Sequence, residues 1–188
     1  MKKVISYASA VIILTVLWGS CKKDEQAVAP PVPENEFLTT VELKVVNESD
    51  PSDVQTASWI DLDPDDDTPP DVSKAKLTLK ANTKYTVQVL FWDDTKTPRG
   101  DVTAEIKERE NYHLICFTAT SGLDLTVKRT DHDTNSPALE VGLEDEFTTG
   151  AASSGTLNVE LRHQPNVKDG TCDPGSTDAD VNYQITIQ

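Results

Sequence analysis

The sequence lacks the short motifs that mark most enzymes. It contains no Gly-x-Ser-x-Gly elbow, no His-Glu-x-x-His pair, no phosphate-binding glycine loop and no dinucleotide-binding fingerprint. Its three histidines are far apart, and none is paired with another at His-x-His or His-x-x-x-His spacing. Carboxylates are abundant, but abundance alone does not define a glycosidase pair. We therefore expect a protein without catalytic activity.

Basic residues are scarce. Lys and Arg together number 17, against 32 Asp and Glu, and the net charge is −15. Loss of an N-terminal segment containing Lys2 and Lys3 would change this charge to −17. So negative a chain repels phosphate groups, which argues against nucleic acid and anionic lipid as ligands. The acidic excess is typical of a solvated surface and is also compatible with the capture of cations.

No apolar run is long enough to cross a membrane. The longest, residues 4–17, is shorter than the ~20 residues that a spanning helix needs. Two lysines precede it, and Gly19 and Ser20 separate it from Cys21, which is the three-part layout of a secretory signal. We predict that residues 1–20 are a cleaved lipoprotein signal peptide and that Cys21 carries the lipid. The alternative is an ordinary secretory signal with an incidental cysteine.

Residues 21–36 are predicted to form a lipidated tether. They are polar and contain Pro30, Pro31 and Pro33, which favours an extended segment without fixed structure. Two or three acyl chains meet the two-signal requirement for stable anchoring, with ~0.8 kcal/mol from each buried methylene. We expect this tether to hold a folded domain, residues 37–188, off the membrane.

From residue 37 onward, apolar and polar residues alternate in short runs, which indicates strands. One helix is predicted at residues 101–111, because Asp101 or Thr103 can cap it and Glu105 and Arg109 form a favourable pair. Without repeats or strand–helix alternation, the pattern predicts an all-β domain. We expect an antiparallel, immunoglobulin-like β-sandwich of about eight or nine strands with one short crossover helix.

Three local predictions follow from the same alternation. The runs at residues 74–80 and 84–93 are separated by a short turn and are expected to form a hairpin. Residues 138–143 are predicted to be a short strand, and residues 148–154 a loop rich in small side chains.

Several aromatic residues lie in the predicted strands. Tyr85 and Phe91 share one face of their strand, and Trp92 lies on the other. These residues and Trp59 either fill the core or line a face for carbohydrate or hydrophobic ligands.

Two cysteines remain besides Cys21. Cys116 lies in an apolar, strand-like run and Cys172 in a polar loop, and a cell-envelope compartment permits disulfides. A Cys116–Cys172 bond is one interpretation. A buried apolar role for Cys116 is the other, since two cysteines alone fix no geometry.

Two groups of side chains are candidate metal ligands. Asp61, Asp63 and Asp65 offer oxygen atoms at alternate positions, as calcium prefers, although the loop lacks the glycine and final glutamate of an EF-hand. A solvated acidic turn is the alternative. His132 and His163 are candidate transition-metal ligands, or else isolated surface and strand-end histidines. No other cofactor is expected.

Several stretches resemble a family of uncharacterised outer-membrane lipoproteins of the Bacteroidetes. They are LTLKANTKYTV at residues 77–87, TGAASSGTL at 149–157 and LRHQPNVKDG at 161–170. The start CKKDE at residue 21 is similar to lipoproteins of the same group, in which acidic residues after the cysteine resemble a surface-export signal. Such proteins are often labelled with the type 1 periplasmic-binding fold, but this chain has neither the helices nor the length of that two-lobed structure.

The resemblance implies a place beside TonB-dependent transporters, because members of the family often look like neighbours of them. We therefore expect a lipoprotein, anchored on the periplasmic or the surface-exposed face of the outer membrane, that acts as a non-enzymatic binding or accessory module in nutrient uptake. The alternative is a structural or adhesive surface module without a small-molecule ligand. None of these patterns defines ligand-binding residues.

Overall fold

The computed structural model describes residues 37–63 and 68–188. The predicted signal peptide, Cys21, the tether of residues 21–36 and Asp65 lie outside the described residues.

The described residues form ten strands and one α-helix. The strands are β1 (Thr40–Asn47), β2 (Asp50–Ile60), β3 (Lys76–Leu79), β4 (Lys84–Asp93), β5 (Gly100–Asp101), β6 (His113–Ala119), β7 (Leu125–Arg129), β8 (Glu144–Thr149), β9 (Ser153–His163) and β10 (Ser176–Ile187). The helix α1 (Val102–Glu108) and a 3-10 turn at Glu110–Tyr112 lie between β5 and β6.

These strands form two sheets. The first has the order β2-β1-β4-β8-β7, with β5 paired to β4, and the second has the order β3-β10-β9-β6. All pairs are antiparallel except β3 and β10, which run parallel. The prediction of an all-β sandwich is confirmed, with ten strands among the described residues where eight or nine were expected.

The helix connects the two sheets, as predicted. It leaves β5 of the first sheet and leads to β6 of the second. Asp101 caps it, because its carboxylate accepts a hydrogen bond from the backbone amide of Ala104 at 3.1 Å. Val102 and Ile106 are buried on its inner face and fix it against the sandwich.

The core lies between the sheets and is filled mainly by alternate residues of the longer strands, such as β1, β4, β9 and β10. Tyr85 and Phe91 of β4 belong to it, so they do not line a ligand face. The buried tyrosine hydroxyls are satisfied: Tyr183 donates to the carbonyl of Val41 at 2.7 Å, and Tyr85 accepts from the amide of Lys80 at 2.7 Å. Trp92, on the opposite face of β4, lies under the guanidinium group of Arg99 at 4.2 Å.

The predicted hairpin of residues 74–80 and 84–93 is wrong. Strand β3 pairs with β10 in the second sheet, while β4 pairs with β1 and β8 in the first. The backbone between the two strands is hydrogen-bonded to other parts of the chain. For example, the hydroxyl of Thr149 donates to the carbonyl of Lys80 at 2.6 Å. Each strand thereby directs its apolar side chains into the core from a different sheet.

The segment around residue 145 also differs from the prediction. Residues 138–143 form no strand, whereas Glu144–Thr149 form β8, which includes residues predicted to be loop. Asp and Glu are rare in strands, but Phe147 is buried and Glu146 pairs with Lys84 on the neighbouring strand at 2.8 Å. Burial and cross-strand pairing here outweigh intrinsic preference.

Candidate functional site

A polar pocket opens where three separate segments meet. Its volume is about 450 Å³, within the ~300–1,000 Å³ typical of small-ligand sites. The first segment ends the 3-10 turn, the second belongs to the loop between β7 and β8, and the third to the loop between β9 and β10. The lining residues are Asn111, Tyr112, Asn135, Ser136, Pro137, Leu139, Asn166, Lys168 and Asp169.

A buried ion pair joins the second and third segments. Nζ of Lys168 lies 2.8 Å from Oδ2 of Asp133, and the two side chains are 2% and 0% exposed. The ammonium also donates to the backbone carbonyl of Glu110 at 3.0 Å, which ties the first segment to the same centre. Burial alone would raise the pKa of Asp133, but the amide of Leu139 and the Lys168 ammonium hold it below its ordinary value.

Asp133 also organises the wall formed by its own loop. Its carboxylate accepts hydrogen bonds from the backbone amides of Asn135 and Leu139 at 3.0 and 2.8 Å. The side-chain amide of Asn135 donates to it at 2.9 Å. Oδ1 of Asn111 accepts from both the amide and the hydroxyl of Thr134 at 3.0 Å. The pocket is therefore held open by contacts within the protein and does not require a ligand to form.

The long loop that carries the third segment is fixed at several points. A disulfide joins Cys172 in this loop to Cys116 in β6, with the sulfurs 1.98 Å apart. The buried Gln164 side chain donates to the carbonyls of Thr171 and Pro174 at 2.8 and 3.0 Å. These contacts hold one wall of the pocket against the second sheet.

Several lining side chains keep their hydrogen-bonding groups free. Within the described residues, Tyr112, Ser136 and Asn166 make no side-chain hydrogen bond, and the amide nitrogen of Asn111 donates none. Asn166 adopts a left-handed backbone with φ of 62°, a conformation that Asn tolerates better than most residues. The pocket thus presents amide and hydroxyl groups that are available to a ligand.

His163 belongs to a cluster of buried side chains. In the sequence it lies three residues before Asn166, which lines the pocket. The rings of His163 and His113 stack with their centroids 5.0 Å apart. Oδ2 of Asp178 lies 3.9 Å from Nδ1 of His163 and 4.0 Å from Nε2 of His113. The Asp178 carboxylate has no hydrogen bond among the described residues. Burial raises the pKa of Asp178, while burial and the charge of His163 lower the pKa of His113 to about 4.

The other candidate metal ligands lie elsewhere. His132 is exposed and pairs through its backbone with Glu140, away from the buried surroundings of His163. Oδ1 of Asp61 accepts the amide of Asp63 at 3.2 Å, as in a local turn, and Asp65 is outside the described residues. Among residues 37–63 and 68–188, no three His, Cys, Asp or Glu side chains are arranged to hold a metal ion.

Asp145, like Asp178, is a buried acid without a hydrogen bond among the described residues, and the sequence patterns do not reveal it. It lies on β8 opposite Val87 and Arg129, and neither carboxylate oxygen has a hydrogen bond in the described part of the chain. Arg129 is engaged by the carbonyl of Ile115 at 2.6 Å and by Glu140 at 3.1 Å. Burial, reinforced by the charge of Asp131, raises the pKa of Asp145 to about 9, so the group is a neutral acid at pH 7.

Comparisons of the chain with protein-family models, curated proteins and solved structures found no match. No helix formed by the described residues is long and apolar enough to span a membrane. The features of the chain that bear on its function are thus the pocket and the N-terminal sequence.

Proposed function

We propose that this protein is an outer-membrane lipoprotein, anchored through Cys21, whose sandwich domain is a non-enzymatic binding module of a TonB-dependent nutrient-uptake system. The observation that supports it most is the pocket, whose walls are held in place by the Asp133–Lys168 pair at 2.8 Å. A pocket formed before the ligand arrives lowers the ordering cost of binding.

The groups around the pocket favour binding over catalysis. Nζ of Lys168 is buried and held by the Asp133 carboxylate and the carbonyl of Glu110, so it is not available as a nucleophile. Oδ1 of Asp169 accepts hydrogen bonds from the amide and hydroxyl of Thr171 at 2.8 and 2.7 Å. The described lining residues include no Ser, Cys or Thr in contact with a histidine or carboxylate that would activate it.

In this proposal, the N-terminal sequence determines where in the cell the protein is located. Lipid on Cys21 places the domain at the membrane surface, and the proline-containing segment 22–36 allows it to reach a neighbouring transporter. Cys21→Ser should yield a protein without acyl chains that is released in soluble form. Unchanged membrane fractionation and unchanged mass of the mature chain would contradict the anchor.

Capture from intact cells tests the association with a transporter. The full-length, tagged protein is crosslinked in intact cells and purified from outer membranes, with the Cys21→Ser protein as the control. We expect a TonB-dependent transporter to be recovered with the lipidated protein and lost with the control. Recovery of a solitary lipoprotein would refute the accessory role and favour a structural or adhesive module.

A further inference from the structure

The free groups in the pocket are neutral. Tyr112 offers a phenol, Ser136 a hydroxyl, and Asn111 and Asn166 offer amide groups. Hydroxyl and amide groups match the hydroxyls of a ligand, because each of these ligand hydroxyls can both donate and accept a hydrogen bond. A lining of this kind recognises a ligand by several directed hydrogen bonds and needs no net charge on it.

The charges near the pocket also favour a neutral ligand. Lys168 is the lining cation, and Asp133 already neutralises it at 2.8 Å. Asp169 leaves a negative charge at the pocket, and the whole chain carries −15, so an anion is repelled. A cation would meet a single carboxylate that already accepts two hydrogen bonds from Thr171.

Apolar surface lies beside these polar groups. The ring of Tyr112, which is 36% exposed, and the side chains of Pro137 and Leu139 line the same pocket. An aromatic ring packs well on a flat apolar face and keeps a polar tip in water. The lining therefore suits a ligand with both C–H faces and many hydroxyl groups.

We infer that the pocket between Tyr112, Asn135, Pro137 and Asn166 binds a neutral, polyhydroxylated ligand of the saccharide class. This inference rests on the proposed binding function and specifies its ligand. The volume of about 450 Å³ limits the bound part to a small unit, so a longer chain would extend into solvent.

The test uses the full-length, lipidated protein in a detergent without a sugar headgroup. An array of neutral mono- and oligosaccharides is screened by ligand-observed NMR, and glucuronate and glucosamine serve as anionic and cationic probes. Calorimetry then measures the affinity of the saccharides that bind. We expect saturable binding of neutral saccharides in preference to both charged probes.

Variants locate the binding site. Tyr112→Ala removes the aromatic face, and Asn166→Gly removes the amide but keeps the left-handed backbone accessible. Each should weaken binding about tenfold, as expected for the loss of a ring contact or of directed hydrogen bonds. Val167→Ala, an exposed neighbour outside the lining, should bind as the wild type does. Thermal melts verify that all three variants are folded.

Four outcomes would overturn the inference. They are no binding across the neutral array, preference for glucuronate, preference for glucosamine, and affinity unchanged by both pocket variants. Transporter capture separates this failure from that of the proposed function. If the transporter is still captured while saccharides do not bind, the ligand class is wrong and the accessory role stands. If saccharides bind but no transporter is captured, the ligand class stands and the accessory role is wrong.

Discussion

Replacement of Asp145 by Asn should stabilise the folded domain at neutral pH. The carboxyl group is 1% exposed and lacks hydrogen-bond partners within the described residues, and its pKa rises from 3.8 to about 9 on folding. Between these two pH values the folded state holds a proton that the unfolded state has released. Stability is therefore full below pH 3.8 and falls as the pH rises, by about 1.4 kcal/mol per pH unit.

The expected change in unfolding free energy follows from the pH range over which only the folded state keeps the proton. From pH 3.8 to 7 the wild type loses about 4 kcal/mol through this one group. Asn has nearly the same shape and cannot ionise, so the variant does not undergo this loss. The difference in unfolding free energy, variant minus wild type, should rise with pH and exceed its acid value by about 4 kcal/mol at pH 7.

Urea unfolding at a series of pH values from 4 to 8 measures this difference directly. The contributions of the other titrating groups cancel in this difference, because both proteins contain those groups. Glu146→Gln on the same strand is the control, since the hydrogen bond from Lys84 holds the pKa of Glu146 below its ordinary value. A difference for Asp145→Asn that stays flat between pH 4 and 8 would refute the claim that the folded state keeps Asp145 protonated.

Three further predictions concern the buried His113, the disulfide and the Asp133–Lys168 ion pair. NMR titration should show His113 neutral down to about pH 4, so protonation of the unfolded chain removes stability as the pH falls from 6.5. Replacement of both Cys116 and Cys172 by Ser should lower the unfolding free energy by ~2–5 kcal/mol. Asp133→Ala should cost ~3–5 kcal/mol, because it leaves Lys168 buried without its partner.

Each has a clear contrary result. Titration of His113 near pH 6.5 would mean that its ring is solvated. Identical urea midpoints for the double Ser variant and the oxidised wild type would contradict a stabilising crosslink. For the ion pair, Lys168→Met together with Asp133→Leu is the matched control. If this double variant is no more stable than Asp133→Ala, an uncompensated charge is not the cause of the loss.

The sandwich could be predicted from the sequence because burial on one face of a sheet imposes a period of two. That period is clear in β4 and in β10 from Ala179 onward, where every second residue is buried. The pairing of β3 with β10 could not be predicted, because a parallel contact between residues 108 positions apart leaves no local pattern. Strand β8 could not be predicted either, because acidic residues are uncommon in strands. The sequence therefore does not show that Asp145 and Phe147 are buried.

The pocket was beyond prediction for a related reason. Residues 111–112, 135–139 and 166–169 lie far apart in the chain, and nothing in their composition links them. They are brought together by the Asp133–Lys168 pair, a contact across 35 positions. His163 was recognised as the end of a strand, but its neighbours His113 and Asp178 became apparent only from the pairing of β6, β9 and β10.

The size of the native complex that contains this protein tests the central proposal most directly. Outer membranes are solubilised in mild detergent and separated by size, and the untagged protein is detected in each fraction by mass spectrometry. We expect it to migrate together with a TonB-dependent transporter at the summed mass of both chains. Migration of the whole population at the mass of a free lipoprotein, apart from every transporter, would contradict it.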